Sequence, residues 1–274
     1  IHSKEVTTQT STLISYSYDL LTFFRFMVSQ NPALKSYAVK DLPLSILDQI
    51  TSEDIVEYQR YLELSVEGEY HENGKKAIAR KLSPLRGMFQ YHYEREYIQR
   101  NPMLLVKLPK LKKDKNIVRM NNYEVQAILE AVEHGYEGMS KRQKACCEKT
   151  KKRDLAILTL MLNTGIRVSE CRGLDLSDVD FVVNSLTIVR KGGGQDVIYF
   201  GDDVAKALSD YVNTERALMR PAQEDDNALF YSLPGKRIRV DAIERLVRKY
   251  AKMSVPNMKI TPHKLRSTYG TALY

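Results

Sequence analysis

Apolar side chains in the first hundred residues recur every three or four positions, the spacing that predicts α-helices. One such run covers 10–29, and a second follows the polar stretch 51–54, whose Ser and acidic residues are typical of a helix start. A third run covers 75–98, with Pro84 as a kink or an irregular start, and it ends at Asn101-Pro102. We therefore expect the first part of the chain to be all-helical.

The second part of the chain predicts more helices and one hairpin. Two β-rich runs at 186–189 and 197–200 are separated by three glycines, a pattern typical of a β-hairpin. Gly165 stands where a helix cap is expected. One helix is predicted to start at 121–122, and the others cover 151–163, 167–174, 204–218, 241–253 and 263–273. The predicted fold class is mainly α with a small antiparallel β-sheet.

The stretch between the two parts is rich in Pro and Lys and has little apolar periodicity, which indicates a linker. The predicted organisation is a helical domain at 1–108, a basic linker at 109–118, and a mixed α/β domain at 119–274.

Charge adds a candidate partner to this picture. The 274 residues include 42 basic and 34 acidic ones, a net charge of +8. Basic residues cluster in 75–86, 107–119 and 141–153, as a polyanion-binding surface requires, although solvated helix faces are the alternative interpretation for each cluster. No apolar stretch is long enough to span a bilayer and no signal peptide opens the chain, so we expect a cytoplasmic protein.

Three cysteines, Cys146, Cys147 and Cys171, have no spacing that suggests a metal site, and we expect them to be reduced thiols. The chain begins at Ile1 rather than Met, which suggests a fragment, a processed start or renumbering.

Four basic residues stand in recognisable local settings. Arg167 lies in Thr-Gly-Ile-Arg-Val-Ser-Glu, Lys191 in Arg-Lys-Gly-Gly-Gly, and His263 and Arg266 in Thr-Pro-His-Lys-Leu-Arg. Arginine donates two bonds to phosphate oxygens, lysine can protonate a leaving oxygen, and histidine moves protons near neutral pH. Together these side chains suit a phosphodiester whose transition state carries extra negative charge.

Each motif alone also has an ordinary structural interpretation. Arg167 and Glu170 have the spacing of a surface ion pair. The ordinary interpretation of Lys191 is a lysine in a turn, and that of His263 is a capping or buried histidine. No GxxxxGK[ST] sequence is present, which excludes a Walker phosphate loop.

In combination, and in this order, the three motifs resemble those of the tyrosine recombinase (phage-integrase-like) family. The resemblance is strongest to Xer-type recombinases and mobile-element integrases of Gram-positive bacteria, and it covers nearly the whole chain. It implies that Arg167 and Arg266 hold the phosphate, that Glu170 supports Arg167, that Lys191 is the general acid, and that His263 lies beside the scissile phosphate. The family cleaves DNA through a 3′-phosphotyrosyl intermediate and needs neither metal nor cofactor.

The chain departs from the family pattern near its end. The family's nucleophilic tyrosine and a second His or Trp lie well downstream of the His-x-x-Arg motif, whereas the sequence stops at Tyr274, which we interpret as a packing residue. We therefore expect no nucleophile in 1–274, and DNA binding without cleavage. Ser267 stands where many relatives carry His.

The resemblance also implies partners: double-stranded DNA with a specific recombination site, a homo-tetramer on DNA for the full-length protein, and a place on the nucleoid. Two domains are expected to clamp the duplex, with the helix at 75–98 in or beside a major groove. The candidate DNA-binding residues are Lys75, Lys76, Arg80, Lys81, Lys112, Lys113, Arg245, Arg248 and Lys249.

Two rival functions remain open at the level of sequence. A non-catalytic DNA-binding regulator with the same fold fits the missing tyrosine, but it needs no such set of basic residues. A type IB topoisomerase shares the chemistry, but the small helical first domain and the Xer-like motifs argue against it.

Overall fold

A computed structural model describes residues 9–64, 74–110, 119–190, 192–221 and 225–272, without the side chains of 33 and 270–272. The chain divides into two compact units, Ile1–Asp114 and Lys115–Tyr274. The boundary falls inside the stretch that the sequence predicts as a linker, and residues 111–118 of that linker lie outside the described part. Each unit is built around its own apolar core.

The described residues of the first unit form helices and connecting turns, with no strand among them. Its helices are α1 (Thr10–Gln30), α2 (Ile46–Gln49), α3 (Ser52–Leu64) and α4 (Lys75–Glu94), with short 3-10 turns between and after them. Apolar side chains from α1, α3 and α4 meet in the core, and the fully buried Phe23, Tyr58 and Leu82 represent one helix each. The helix predicted at 10–29 and the one after residue 51 are confirmed.

The long helix predicted at 75–98 is too long by four residues. Helix α4 ends at Glu94, and Glu96 adopts a positive φ of 58°, which reverses the chain direction. The reversal returns Ile98 to the core, where it is buried. Ile98 packs into the core from a turn after the helix. Its position therefore continues the apolar spacing of α4 beyond the end of that helix. Pro84 lies within α4, and the helix continues through it.

The second unit packs helices around a small sheet. Its elements are α5 (Asn122–His134), α6 (Lys141–Glu148), α7 (Lys151–Thr164), α8 (Val168–Gly173), β1 (Val179–Asp180), β2 (Ser185–Val189), β3 (Gln195–Tyr199), α9 (Asp202–Tyr211), α10 (Val240–Ser254) and α11 (Pro262–Ala272). The strands form one antiparallel sheet in the order β1-β2-β3, with Val189 opposite Gln195 at the hairpin end. The mainly helical fold with a small antiparallel sheet is thus confirmed; β1 and α6 were not foreseen.

Helix α7 is the central element of this unit. Almost every residue from Ala156 to Leu162 is fully buried, so α7 is apolar on all sides, as expected of a helix surrounded by others. Helices α5, α9 and α11 pack against it. The carboxylate of Glu215 accepts hydrogen bonds from the backbone N–H of Lys152 at 2.7 Å and of Arg153 at 2.9 Å, which satisfies free donors at the α7 N-terminus.

The predicted helix 204–218 is α-helical only to Tyr211. A π-helical turn follows at Val212–Arg216, and from it Glu215 reaches the α7 N-terminus while Arg216 donates to the carbonyl of Ala228. The helical spacing is interrupted because these two polar side chains satisfy backbone groups of neighbouring segments. No helix among the described residues is both long enough and apolar enough to cross a membrane.

Candidate phosphate-binding site

The site begins where α7 ends. Gly165 caps α7 in the left-handed conformation, with a φ of 60°, and its N–H donates to the carbonyl of Met161 at 3.1 Å. The next residue, Ile166, is buried, and the chain then starts the short helix α8 with Arg167 in the N-cap position. This turn between two helices holds the backbone of Arg167 at the edge of the apolar core.

Glu170 connects the backbone and the side chain of Arg167. Its Oε2 accepts from the N–H of Arg167 at 2.7 Å, and its Oε1 accepts from Nη1 of the same residue at 2.6 Å. The first contact is half of a capping box, and the second is a charge-assisted hydrogen bond. The Arg167 guanidinium is therefore held by a residue one helical turn away.

Two more arginines converge on the same carboxylate. Nη1 of Arg190, directly after β2, lies 3.3 Å from Oε2 of Glu170, and Nη1 of Arg266, on α11, lies 3.9 Å from that oxygen. The Glu170 side chain is only 3% exposed, whereas those of Arg167, Arg190 and Arg266 are 46%, 31% and 35% exposed. We call these four residues the arginine pocket. One buried negative charge thus supports three cations that remain open to solvent.

The environment of Glu170 favours its ionised form. Burial alone would raise the pKa of the carboxyl, but the hydrogen bonds from the backbone and side chain of Arg167 and the charges of Arg190 and Arg167 outweigh it, so the pKa is lowered. Arg190 also has a raised pKa, first because it donates to Asp196 and also because it lies beside Glu170. Glu170 and Arg190 are therefore both charged at neutral pH.

The arginine pocket keeps positive charge for a ligand. Three guanidiniums share Glu170, and Arg190 also pairs with Asp196 at 2.7 Å, which still leaves an excess of one positive charge. Nη1 of Arg266 is buried, and within the described part of the chain it has no hydrogen-bond acceptor. A buried donor without an acceptor is unfavourable, and an anionic oxygen would satisfy it. The arrangement is chemically suited to a phosphate group.

The other two predicted site residues are placed differently. His263 is exposed in the first turn of α11, three residues before Arg266 and on the same side of the helix. Lys191 lies outside the described residues, between the structured neighbours Arg190 and Gly192. Arg190 was not among the predicted site residues, although it stands directly before Lys191.

The predicted DNA-binding residues of the first unit fall into two groups. Lys75 and Lys76 are exposed in the first turn of α4. Arg80 donates to both carboxylate oxygens of Asp19 at 2.8 and 3.2 Å, and Lys81 lies 3.7 Å from the same carboxylate. The basic residues of 75–86 therefore have an acidic partner, Asp19, which lies on α1. Lys112 and Lys113 lie outside the described residues.

The predicted DNA-binding residues of α10 also have partners. Arg245 pairs with Asp241 at 3.1 Å and Arg248 with Glu244 at 2.7 Å, both one turn earlier on an exposed face. The ammonium of Lys249 instead lies 3.0 Å from Sγ of Cys147 and 3.0 Å from the hydroxyl of Tyr250. Lys249 therefore contacts a side chain of another helix, whereas the described partners of Arg245 and Arg248 lie on α10 itself.

Comparison with known proteins places the chain in a family. Residues 113–274 match the model of the phage integrase family. The chain is 31% identical to the tyrosine recombinase XerC of Caldanaerobacter subterraneus subsp. tengcongensis over 96% of this chain and 70% of that protein. It is also 31% identical to the tyrosine recombinase XerS of Streptococcus mutans, over 96% of this chain and 79% of that protein.

Solved structures share the fold. The XerH site-specific recombinase bound to palindromic difH substrate matches with a TM-score of 0.69 at 19% identity, covering 96% of this chain and 68% of that one. A lambda integrase dimer bound to a COC′ core site matches with a TM-score of 0.65 at 18% identity, covering 96% and 82%. With the family match over the whole second unit, these likenesses lead to one conclusion: the chain belongs to the phage integrase family of site-specific tyrosine recombinases.

Proposed function

We propose that this protein binds double-stranded DNA at a specific recombination site and holds the scissile phosphate in the arginine pocket. The observation that carries the proposal is the convergence of Arg167 and Arg266 on the buried Glu170, at 2.6 and 3.9 Å. Residues far apart in the sequence supply two guanidiniums to one place, and guanidiniums suit the non-bridging oxygens of a phosphodiester.

The proposed roles follow from the chemistry of each side chain. Arg167 and Arg266 neutralise the charge that develops on the phosphate, and Glu170 orients Arg167. His263, exposed on the same helix face as Arg266, exchanges a proton near the phosphate. Lys191 protonates the leaving 5′-oxygen, and a tyrosine forms the 3′-phosphotyrosyl bond, as the family resemblance implies. The phosphodiester energy is kept in that bond, so rejoining needs no cofactor.

The division of labour between the units is also a proposal. We propose that residues 1–108 form a core-DNA-binding domain, that 109–118 form a basic linker, and that 119–274 carry the catalytic domain. The exposed Lys75 and Lys76 on α4, and Arg245 and Arg248 on α10, support two DNA-contacting surfaces. The complete recombinase is proposed to act as a homo-tetramer on DNA, in the cytoplasm and on the nucleoid.

Residues 1–274 by themselves are proposed to bind DNA without cleaving it, because no tyrosine in the sequence stands where the family resemblance requires the nucleophile. The test begins with selection of a preferred site from a library of random duplexes. Affinity for that site is then measured by fluorescence anisotropy between about 50 and 200 mM salt, and six to ten phosphate contacts lower it about 10³- to 10⁵-fold over this range. Binding that is indifferent to salt would contradict the phosphate-holding role.

Cleavage needs a second assay. A chain that also carries a family-type nucleophile segment is incubated with a nicked suicide substrate containing the selected site. We expect a covalent protein–DNA adduct, which Arg167→Ala or Arg266→Ala abolishes. Tight, salt-sensitive binding without any adduct from this longer chain would instead favour a non-catalytic DNA-binding regulator.

A further inference from the structure

Arg190 makes four contacts that the proposed roles do not use. Its Nη1 lies 3.3 Å from Oε2 of the buried Glu170, and its Nε donates to Oδ2 of Asp196 at 2.7 Å. Its backbone N–H donates to the carbonyl of Gly194 at 2.7 Å, and its own carbonyl accepts from the N–H of Gly193 at 3.0 Å. Arg190 is therefore joined at once to the arginine pocket and to both sides of the β2-β3 turn.

We propose that Arg190 is a positioning residue that holds the turn carrying Lys191 against the arginine pocket. The inference rests on the proposed function, because the role of Lys191 comes from there. It uses only the covalent bond between Arg190 and Lys191 and the contacts of the described residues. Among these, Glu170 is the common partner of Arg190, Arg167 and Arg266.

The turn requires such a restraint. Gly192 and Gly193 both have positive φ values, 111° and 89°, and three consecutive glycines lose more backbone entropy on ordering than other residues do. A general acid, however, must be held within about 0.5 Å of its productive position. A guanidinium that contacts a carboxylate on each side supplies two fixed points at the base of the turn.

Burial distinguishes this contact from an ordinary surface ion pair. Exposed pairs contribute about 0–1 kcal/mol, largely because both side chains must be ordered. Glu170 is already fixed by the backbone and side chain of Arg167, so Arg190 binds a preformed carboxylate. A change at Arg190 should therefore move the turn while Arg167 stays in place.

The chemical step makes the role measurable. In cleavage, the nucleophile oxygen gives its proton to the His263 imidazole and forms a bond to phosphorus, and the bond from phosphorus to the 5′-oxygen breaks. The leaving oxygen takes its electron pair and receives a proton from the Lys191 ammonium, which gives a 5′-hydroxyl and a neutral amine. If sulfur replaces the 5′-bridging oxygen, the leaving thiolate is stable near neutral pH, with a pKa of about 8.5, and needs no proton from the enzyme.

The first experiment compares cleavage of oxygen-bridged and 5′-sulfur-bridged suicide substrates by chains that carry the nucleophile. We expect Arg190→Ala to slow the oxygen substrate by about 10²-fold, the scale of general acid catalysis, and to slow the sulfur substrate by less than about threefold. Arg190→Lys keeps the positive charge but not the planar guanidinium, so its cleavage rate on the oxygen substrate should lie between those of wild type and Arg190→Ala. The control Arg239→Ala removes an arginine whose Nε lies 3.1 Å from Asp241, and it should leave the ratio of the two rates unchanged.

An equal loss on both substrates would overturn the proposal, because Arg190 would then act on the phosphate-holding arginines rather than on the general acid. Hydrogen exchange on residues 1–274 distinguishes a failure of the positioning role from a failure of the proposed function. Arg190→Ala should speed exchange at the amides of Gly193 and residue 190, while the amides of α7 keep their protection. If wild type forms no adduct, the proposed function fails, and unchanged exchange at the turn would by itself overturn the positioning role.

Discussion

Gly165 lies directly against the ring of Tyr269. A Cβ added to Gly165 would stand 2.5 Å from Cδ1 of Tyr269, far inside the contact distance of two carbons. Gly165 ends α7 two residues before Arg167, and Tyr269 follows Arg266 by less than one turn of α11. The missing side chain therefore allows the Arg167 turn and the Arg266 helix to approach closely enough to share Glu170.

Gly165→Ala should destabilise the protein and separate the two arginines. The left-handed backbone costs an alanine about 1–2 kcal/mol, and the collision with Tyr269 adds about 1–3 kcal/mol. We expect the free energy of unfolding in urea to fall by at least about 2 kcal/mol. In a Tyr269→Ala background only the backbone part should remain, so equal losses in the two backgrounds would contradict the close contact.

Removing the charge of Glu170 should weaken the arginine pocket. Glu170→Gln keeps an acceptor for the N–H of Arg167 but leaves three guanidiniums without their shared carboxylate, so we expect a loss of about 1–3 kcal/mol in urea unfolding. Asp178→Asn is the matched control, because Asp178 also accepts from a backbone N–H three residues earlier, that of Asp175 at 2.8 Å. The control should lose less than about 1 kcal/mol, and equal losses would mean that the arginines add nothing.

The Glu170 contribution should depend on pH with a definite sign. The pKa of Glu170 is lowered from its ordinary value of 4.5, so the folded state binds this proton more weakly than the unfolded state. The stabilisation is therefore complete above pH 4.5 and is lost as the pH falls through the folded-state pKa. The difference in unfolding free energy between wild type and Glu170→Gln should be constant at neutral pH and shrink in acid. A difference that grew in acid would contradict the lowered pKa.

Two kinds of basic residue on α4 should behave differently. Asp19 is buried and pairs with Arg80 at 2.8 Å, so Arg80→Ala should destabilise the first unit by about 1–3 kcal/mol, because the carboxylate loses the hydrogen bonds from Arg80 and keeps the longer contact with Lys81 at 3.7 Å. Lys75→Ala, on the exposed first turn, should change stability by less than about 0.5 kcal/mol. We expect Lys75→Ala to reduce the slope of the logarithm of DNA affinity against the logarithm of salt concentration by about one. An unchanged salt dependence for Lys75→Ala would remove it from the proposed DNA surface.

The same contrast applies to α10. Lys249 contacts Cys147 and Tyr250, whose hydroxyl donates to the buried Asp154 at 3.0 Å, so Lys249→Met should lower the melting temperature without changing the salt dependence. Arg245 has only its exposed partner Asp241 in the described part of the chain, a pair of about 0.5 kcal/mol. Arg245→Ala should reduce the salt dependence by about one and leave stability nearly unchanged. If Lys249→Met reduced the salt dependence and Arg245→Ala lowered the melting temperature, Lys249 would be the DNA-contacting residue and Arg245 the stabilising one.

Local chemistry explains what could be predicted from the sequence. Helices α1, α3, α5, α7, α8 and α10, the β2-β3 hairpin and the Gly165 cap all depend on interactions within a few residues, which apolar spacing and turn residues report directly. The pairing of Arg167 with Glu170 belongs to this class, since the two residues are one helical turn apart. The end of α4 was predicted wrongly because Ile98 packs into the core from a turn and imitates helical spacing.

The sequence by itself determined most of the helices, the hairpin and the basic residues of the three motifs, because each is specified by its near neighbours. The tertiary structure alone decided which partner a basic residue meets when that partner is distant in the sequence. Arg80 and Asp19 are 61 residues apart, Arg190 and Glu170 are 20 apart, and Lys249 and Cys147 are 102 apart. Such contacts depend on how helices and strands pack against one another, and no local spacing along the chain encodes those distances.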